Sequence, residues 1–130
     1  MPTIEELKNT SETRICKAVF PNTTNHYDTL FGGTALQLMD EASFICATRF
    51  SRKKMVTVST DKIDFNTAIP QGTIIELVAR VDKIGRTSCV VKVDIFMEDM
   101  YSYKRSKAVT GFFTFVAVGD DKKPVAILND

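Results

Sequence analysis

The residues from Thr34 to about Phe50 are the only long run of strong helix formers in the chain, and nearly the whole circumference of that helix is apolar. With Leu36 at zero and about 100° per residue, Gln37, Glu41 and Thr48 gather in one polar stripe. Leu38, Met39, Ala42, Ile45 and Cys46 occupy most of the remaining surface. A helix of this kind must be covered on most sides. The material to cover it lies in five β-branched and aromatic segments: Thr13 to Phe20 ahead of the helix, then Met55 to Phe65, Thr73 to Asp82, Thr87 to Met97 and Lys104 to Val118. Pro70-Gln71-Gly72, Lys83-Ile84-Gly85-Arg86 and Glu98 to Ser102 punctuate the last four in hairpin fashion. The spacing predicts an α+β fold in the order βαββββ, with an antiparallel, meandering sheet of about five strands curled around one central helix. Residues 1–10 read as a short helical or frayed leader, and no repeat or linker interrupts the chain.

With 130 residues the chain fits a single domain, and 44% hydrophobic with 25% charged residues is an ordinary globular balance. Seventeen Lys and Arg against sixteen Asp and Glu leave a net charge of +1, too little to gather phosphate backbones, so nucleic acid is not an expected partner. Cys16, Cys46 and Cys89 are odd in number and form no CxxC pair, which argues against a metal site and for reduced thiols in a cytoplasmic protein. The leader carries Glu5 and Glu6 where a signal peptide would carry bases. No stretch approaches the roughly 18 apolar residues of a membrane span, so a soluble protein without a membrane partner is expected.

Asp40 breaks the helical pattern. It falls at about 40° on the wheel, among Leu36, Ser43, Phe44 and Ala47 and away from the stripe that holds Glu41. A carboxylate buried on such a face is costly unless paired, hydrogen-bonded or protonated, which makes Asp40 a candidate for acid/base work. Gly32-Gly33, ahead of the helix, exposes backbone N–H groups at the positive end of the dipole, where a polarised carbonyl oxygen can be held. Gly33 and Asp40 lie about 10 Å apart along one helix. One reacting carbonyl cannot touch both, so cooperation between them requires two chains.

The stretch Phe20-Pro21-Asn22-Thr23-Thr24-Asn25-His26-Tyr27-Asp28-Thr29-Leu30-Phe31-Gly32-Gly33, followed by Met39-Asp40-Glu41-Ala42, resembles the active-site region of the hotdog-fold acyl-CoA thioesterases. The likeness continues through Val56 to Phe65, Gly85-Arg86-Thr87-Ser88, Phe113 to Val118 and Lys123-Pro124-Val125, and covers about residues 12–127 of a single domain spanning 1–130. It implies a long helix wrapped by an antiparallel sheet, and hydrolysis of an acyl-CoA thioester to a carboxylic acid and CoA, as in fatty-acid metabolism. By resemblance Asp40 is the general base or nucleophile and Gly33 or Gly32 the oxyanion donor. Asn25 is a further catalytic candidate, and Ser59 and Thr60 offer hydroxyls beside the thioester. Gly85, Arg86, Thr87 and Ser88 are expected to contact CoA, with Arg80, Lys104 and Arg105 as weaker candidates. No cofactor or metal is implied, because CoA is part of substrate and product. Sites shared between subunits of a homodimer, and a hexamer built as a trimer of dimers, are implied as well.

At one place the likeness departs from the family pattern. Where some members carry Asn or Asp about four residues before the first motif glycine, this chain has Asp28 and Thr29. Two rival readings differ in chemistry. A dehydratase of the same fold would pair a loop histidine with the helix acid, and His26 is the only histidine, but its surroundings do not look like the dehydratase motif. A noncatalytic acyl-CoA sensor would bind without releasing thiol. The retained Asp40 argues against it.

Overall fold

The computed structural model describes residues 2–128. The leader forms α1 (Ile4–Ser11), opened by a capping box in which the Thr3 hydroxyl accepts from Glu6 N–H and the Glu6 carboxylate accepts from Thr3 N–H. It is fastened rather than frayed. Arg49 donates to the carbonyls of Thr10 and Glu12, and Arg80 donates to the Lys8 carbonyl, the Asn9 side chain and the Glu5 carboxylate. The remaining elements are β1 (Thr13–Ala18), α2 (Gly32–Ser51), β2 (Lys54–Phe65), β3 (Thr73–Ile84), β4 (Ser88–Asp99) and β5 (Arg105–Val118).

All five strands pair antiparallel in the order β1-β3-β4-β5-β2, and the sheet wraps α2 in the hotdog arrangement. The expected meander holds for β3, β4 and β5. It fails for β2, which lies beside β5 at the far edge, because the segment 66–72 crosses back over the open end instead of closing a hairpin. Alternation of apolar residues sets which face a strand buries. It carries no information about which strand lies beside it.

The core lies between one face of α2 and the concave face of the sheet. Ala35, Met39, Ala42, Cys46, Ala47 and Phe50 of the helix meet Ile75, Leu77 and Val81 of β3, Val91 to Ile95 of β4, and Phe113 to Ala117 of β5. Small side chains on that helical face let the backbone approach the sheet closely. Gly111 does the same within the sheet, since a Cβ there would stand 2.3 Å from Ile63 and 2.9 Å from Met39. A register irregularity between Asp61 and Asp64, with Lys62 at φ 51°, accompanies this entry of Ile63 toward the core. The helical wheel required cover on most sides, but within one chain only this face is covered. Leu36 and Phe44 at its border remain exposed, although the Phe44 ring still comes to 6.5 Å from that of Phe115.

Burial raises the Cys46 thiol to about 11 and the Cys89 thiol to about 12, while Cys16 is exposed. Native protein at neutral pH should therefore label one thiol per chain with a maleimide and denatured protein three, counted by mass. Rapid native labelling of three would mean that the core described here is not closed. Because the folded state holds these two thiols protonated above the value of 9.0 at which they otherwise ionise, stability is full below that pH and falls as pH rises toward 11 to 12. Denaturant midpoints measured across that range check the sign.

Candidate active site

Between β1 and α2 the chain makes one turn of 3-10 helix (Pro21–Thr23) and then a tight loop whose sides are joined by the bridge of Thr24 to Leu30. Asn25 N–H donates to the Thr29 carbonyl at 2.8 Å, and Asp28 turns the chain with φ at 60°. The Asn25 side-chain oxygen accepts from the N–H groups of Tyr27 and Thr29 and from the Thr29 hydroxyl. The loop is anchored to the segment after β2, where Leu30 N–H donates to the Ile69 carbonyl at 2.7 Å and the Asp28 carbonyl accepts from Gln71 N–H at 2.8 Å. His26 is exposed, with its ring 3.9 Å from that of Tyr27.

This loop delivers the start of α2 without a side-chain cap. Phe31 at the N-cap has no hydroxyl or carboxylate to offer, so the first-turn amides have no capping side chain among the described residues. Nothing stands within 4 Å of a Cβ built on Gly32, whereas one on Gly33 would meet the Phe31 ring at 3.1 Å. Neither glycine has a positive φ. Space inside the chain therefore does not explain a glycine at 32. An uncapped helix end with no side chain at its first position leaves room for a group from outside to reach the backbone N–H.

Two turns further on, Asp40 is half-buried. The expectation of a carboxylate sunk in an apolar face is corrected by this. Asp40 stands at the border between the covered face of α2 and the exposed stripe of Leu36 and Phe44, one helical turn away on either side. Its Oδ1 accepts from the Thr57 hydroxyl of β2 at 3.1 Å. Sequence reasoning passed over Thr57 in favour of Ser59 and Thr60, which are exposed on β2 and make no side-chain hydrogen bond with a described residue. The irregularity between Thr57 and Ser59 breaks the simple alternation on which that choice depended. The signal that would have found Thr57 is its place two residues after the buried Met55, on the same face.

The Gly85 to Ser88 turn joins β3 and β4. Gly85 N–H donates to the Ser88 carbonyl, and the Arg86 and Thr87 carbonyls accept from Ile127 and Ala117 N–H. The Arg86 side chain is exposed and forms no ion pair among the described residues. Through Phe115, Cys89 and Thr57 lie in one cross-strand row, so the turn begins about 10 Å, or two strand spacings, from Thr57. The weaker arginine candidates are otherwise engaged. Arg80 holds α1, and Arg105 pairs with Glu76 at 2.6 Å and with Glu98, which keeps the Glu76 carboxyl below its usual range. The fold thus brings Asp40 and Thr57 into contact and sets Asn25, Gly32 and Gly33 in one loop and helix start. These two groups stand two helical turns apart.

The family model described as Thioesterase superfamily matches residues 27–103. The chain belongs to that superfamily. This member is 37% identical to the uncharacterized acyl-CoA thioester hydrolase YkhA of Bacillus subtilis, over 91% of its own length and 73% of the relative's. Among solved structures it is 36% identical, with TM-score 0.89, to the acyl-CoA hydrolase of Staphylococcus aureus in complex with butyryl coenzyme A, coenzyme A and coenzyme A disulfide, covering 94% of this chain and 74% of that one. It is likewise 33% identical, with TM-score 0.89, to an apo-hexameric acyl-CoA thioesterase, covering 92% of this chain and 76% of that one. Alanine variants of the S. aureus hydrolase replace an asparagine, an aspartate fifteen positions later, and a threonine seventeen positions after the aspartate. Asn25, Asp40 and Thr57 carry the same residue types at the same spacing.

Since nothing inside the chain crowds Gly32, Gly32→Ala should unfold at or slightly above the parent's midpoint, by a few tenths of a kcal/mol. Gly33→Ala, pressed against Phe31, should gain less or lose stability. Thermal melts of both check this, and a clear loss for Gly32→Ala would mean that the fold itself needs the glycine.

Proposed function

We propose that this chain is an acyl-CoA thioester hydrolase that releases a free carboxylic acid and CoA, with Asp40 as general base and the first-turn amides of α2 as oxyanion donors. The observation that carries the reading is the Asp40 carboxylate, fixed by Thr57 at an open rim with its second oxygen bound by no described residue. A carboxylate held in this way can take a proton from water as the water oxygen adds to the thioester carbonyl carbon. Negative charge then develops on the carbonyl oxygen, where N–H groups at Gly32 and Gly33 are suited to meet it. When the intermediate collapses the C–S bond breaks, and the proton on Asp40 returns to the leaving thiolate. Water is the only co-reactant, and the reaction calls for no cofactor.

Along one helix the acid and the donors are about 10 Å apart, so the site takes its donors from one chain and its acid from a second. The exposed side chains of Leu36 and Phe44 on either side of Asp40 and the largely exposed edge strand β2 supply the surface for that homodimer. A trimer of dimers is supported by the hexameric relative. Arg86, with no ion pair among the described residues, and the Gly85-Arg86-Thr87-Ser88 turn are assigned to CoA, whose phosphates need a cation and whose amides need backbone partners. The three free cysteines fit a cytoplasmic setting, and residues 12–127 act as one domain. Against a dehydratase stands His26, which is exposed against Tyr27 and makes no hydrogen bond with an acid among the described residues.

Thiol release from a panel of acyl-CoA esters tests the reading. Asp40→Asn should lower kcat a hundredfold or more, Thr57→Val about tenfold, and Glu41→Gln, on the solvent side, should stay near the parent. Binding without release would favour a sensor, and an unsaturated product from 3-hydroxyacyl-CoA would favour a dehydratase.

The shared site has its own test. When Asp40→Asn chains exchange subunits with Gly32→Val chains, a mixed dimer holds one site with both defects and one with neither. Activity should return toward half that of the parent dimer. Confirmed exchange without recovery would place acid and donor in the same chain.

A further inference from the structure

The Asn25 carboxamide sits in its loop with only one possible orientation. Its oxygen accepts from Tyr27 N–H at 2.9 Å, from Thr29 N–H at 3.3 Å and from the Thr29 hydroxyl at 3.1 Å. Two of these donors are backbone N–H groups and cannot become acceptors, so a flipped amide would set NH2 against N–H and lose those bonds. The acceptor side of Asn25 is thereby filled. Its NH2 makes no hydrogen bond with a described residue and is left for a group outside the loop. Thr29 supplies two of the three bonds and is itself set in place by the bridge to Pro70.

We propose that Thr29 is a positioning residue, whose hydroxyl and N–H lock the Asn25 carboxamide with its oxygen inside the loop, the orientation in which its NH2 can join the first-turn amides at the thioester carbonyl oxygen. The proposal rests on the hydrolase reading and deepens it by naming what holds Asn25. A group that can only donate is suited to the oxygen where negative charge develops. It cannot take a proton from water, and that task stays with Asp40. From Asn25 the paired sides of the loop run through Thr24 and Leu30 to the hydrogen bond of Phe31 N–H with the Thr23 carbonyl, and α2 starts at the next residue. Asn25 and the first-turn amides therefore arrive from one continuous stretch of one chain.

Steady-state thiol release by Thr29→Val, Thr29→Ser, Asn25→Ala, Asn25→Asp and the combined Thr29→Val, Asn25→Ala chain tests this, with thermal melts alongside. Thr29→Val should lower kcat about tenfold with KM within about twofold, and Thr29→Ser should restore it. Asn25→Ala should lose about a hundredfold, the scale of one oxyanion donor. Asn25→Asp keeps an acceptor for all three loop bonds and replaces the NH2 donor with a charged carboxylate oxygen that can only accept, so it should fall at least as far while melting near the parent. The combined chain should be no slower than Asn25→Ala alone. Parent-like turnover of Thr29→Val or Asn25→Asp overturns the proposal, as does a further tenfold loss when Thr29→Val is added to Asn25→Ala. Should Thr29→Val fail to fold, Thr29→Ser and Asn25→Asp decide. If the unmodified enzyme releases no thiol, the hydrolase reading falls and takes the proposal with it. If the parent turns over and the variants misbehave, only the proposal falls.

Discussion

The close seating of α2 on the sheet is the contact on which the rest of the molecule depends. Its buried face is built from Ala35, Ala42, Ser43, Cys46 and Ala47, with Met39 and Phe50 as the larger contacts, and none of the small side chains holds the sheet at a distance. The sheet answers with bulky residues from β3, β4 and β5 and with Gly111, which leaves room for Ile63 and Met39 to meet above β5. Close packing of this kind sets the height and direction of the helix to within what side-chain volume allows. The positions of the uncapped N-terminus and of Asp40 follow from that.

Because one chain covers only one face of α2, the functional groups lie on unfinished surface. Asp40 has buried Ser43 and Ala47 beside it and exposed Leu36 and Phe44 one turn before and one turn after it, and its partner Thr57 belongs to the edge strand. The same border position explains why the carboxylate is half-buried in one chain although the helical wheel expected a buried one. An apolar arc in a sequence marks surface that must be covered. It does not say whether the covering comes from the same chain.

The loop ahead of α2 has a different origin for its rigidity. Its order comes from polar pairing, with the Asn25 oxygen at the centre and with Leu30, Asp28 and Thr29 tied to the segment after β2. That segment is the crossover that carries the chain from β2 back to β3. The topology that sequence patterning did not anticipate is thus also what braces the loop against the helix start.

Local chemistry was legible in the sequence: one apolar helix, five strands close to their observed limits, turns at glycine and proline, the glycine pair at the helix start and the odd placement of Asp40. Each of these depends on residue type and short-range period, which a linear string carries in full. The pairing of β2 with β5 and the contact of Thr57 with Asp40 were not legible, and neither were the engagement of Arg80 and Arg105 in structural ion pairs or the half-exposure of Asp40. Those depend on which elements become neighbours after a crossover and on one irregular step in a strand, and only the packed chain decides them, because strand period is blind to partner and a bulge resets the face that a hydroxyl occupies.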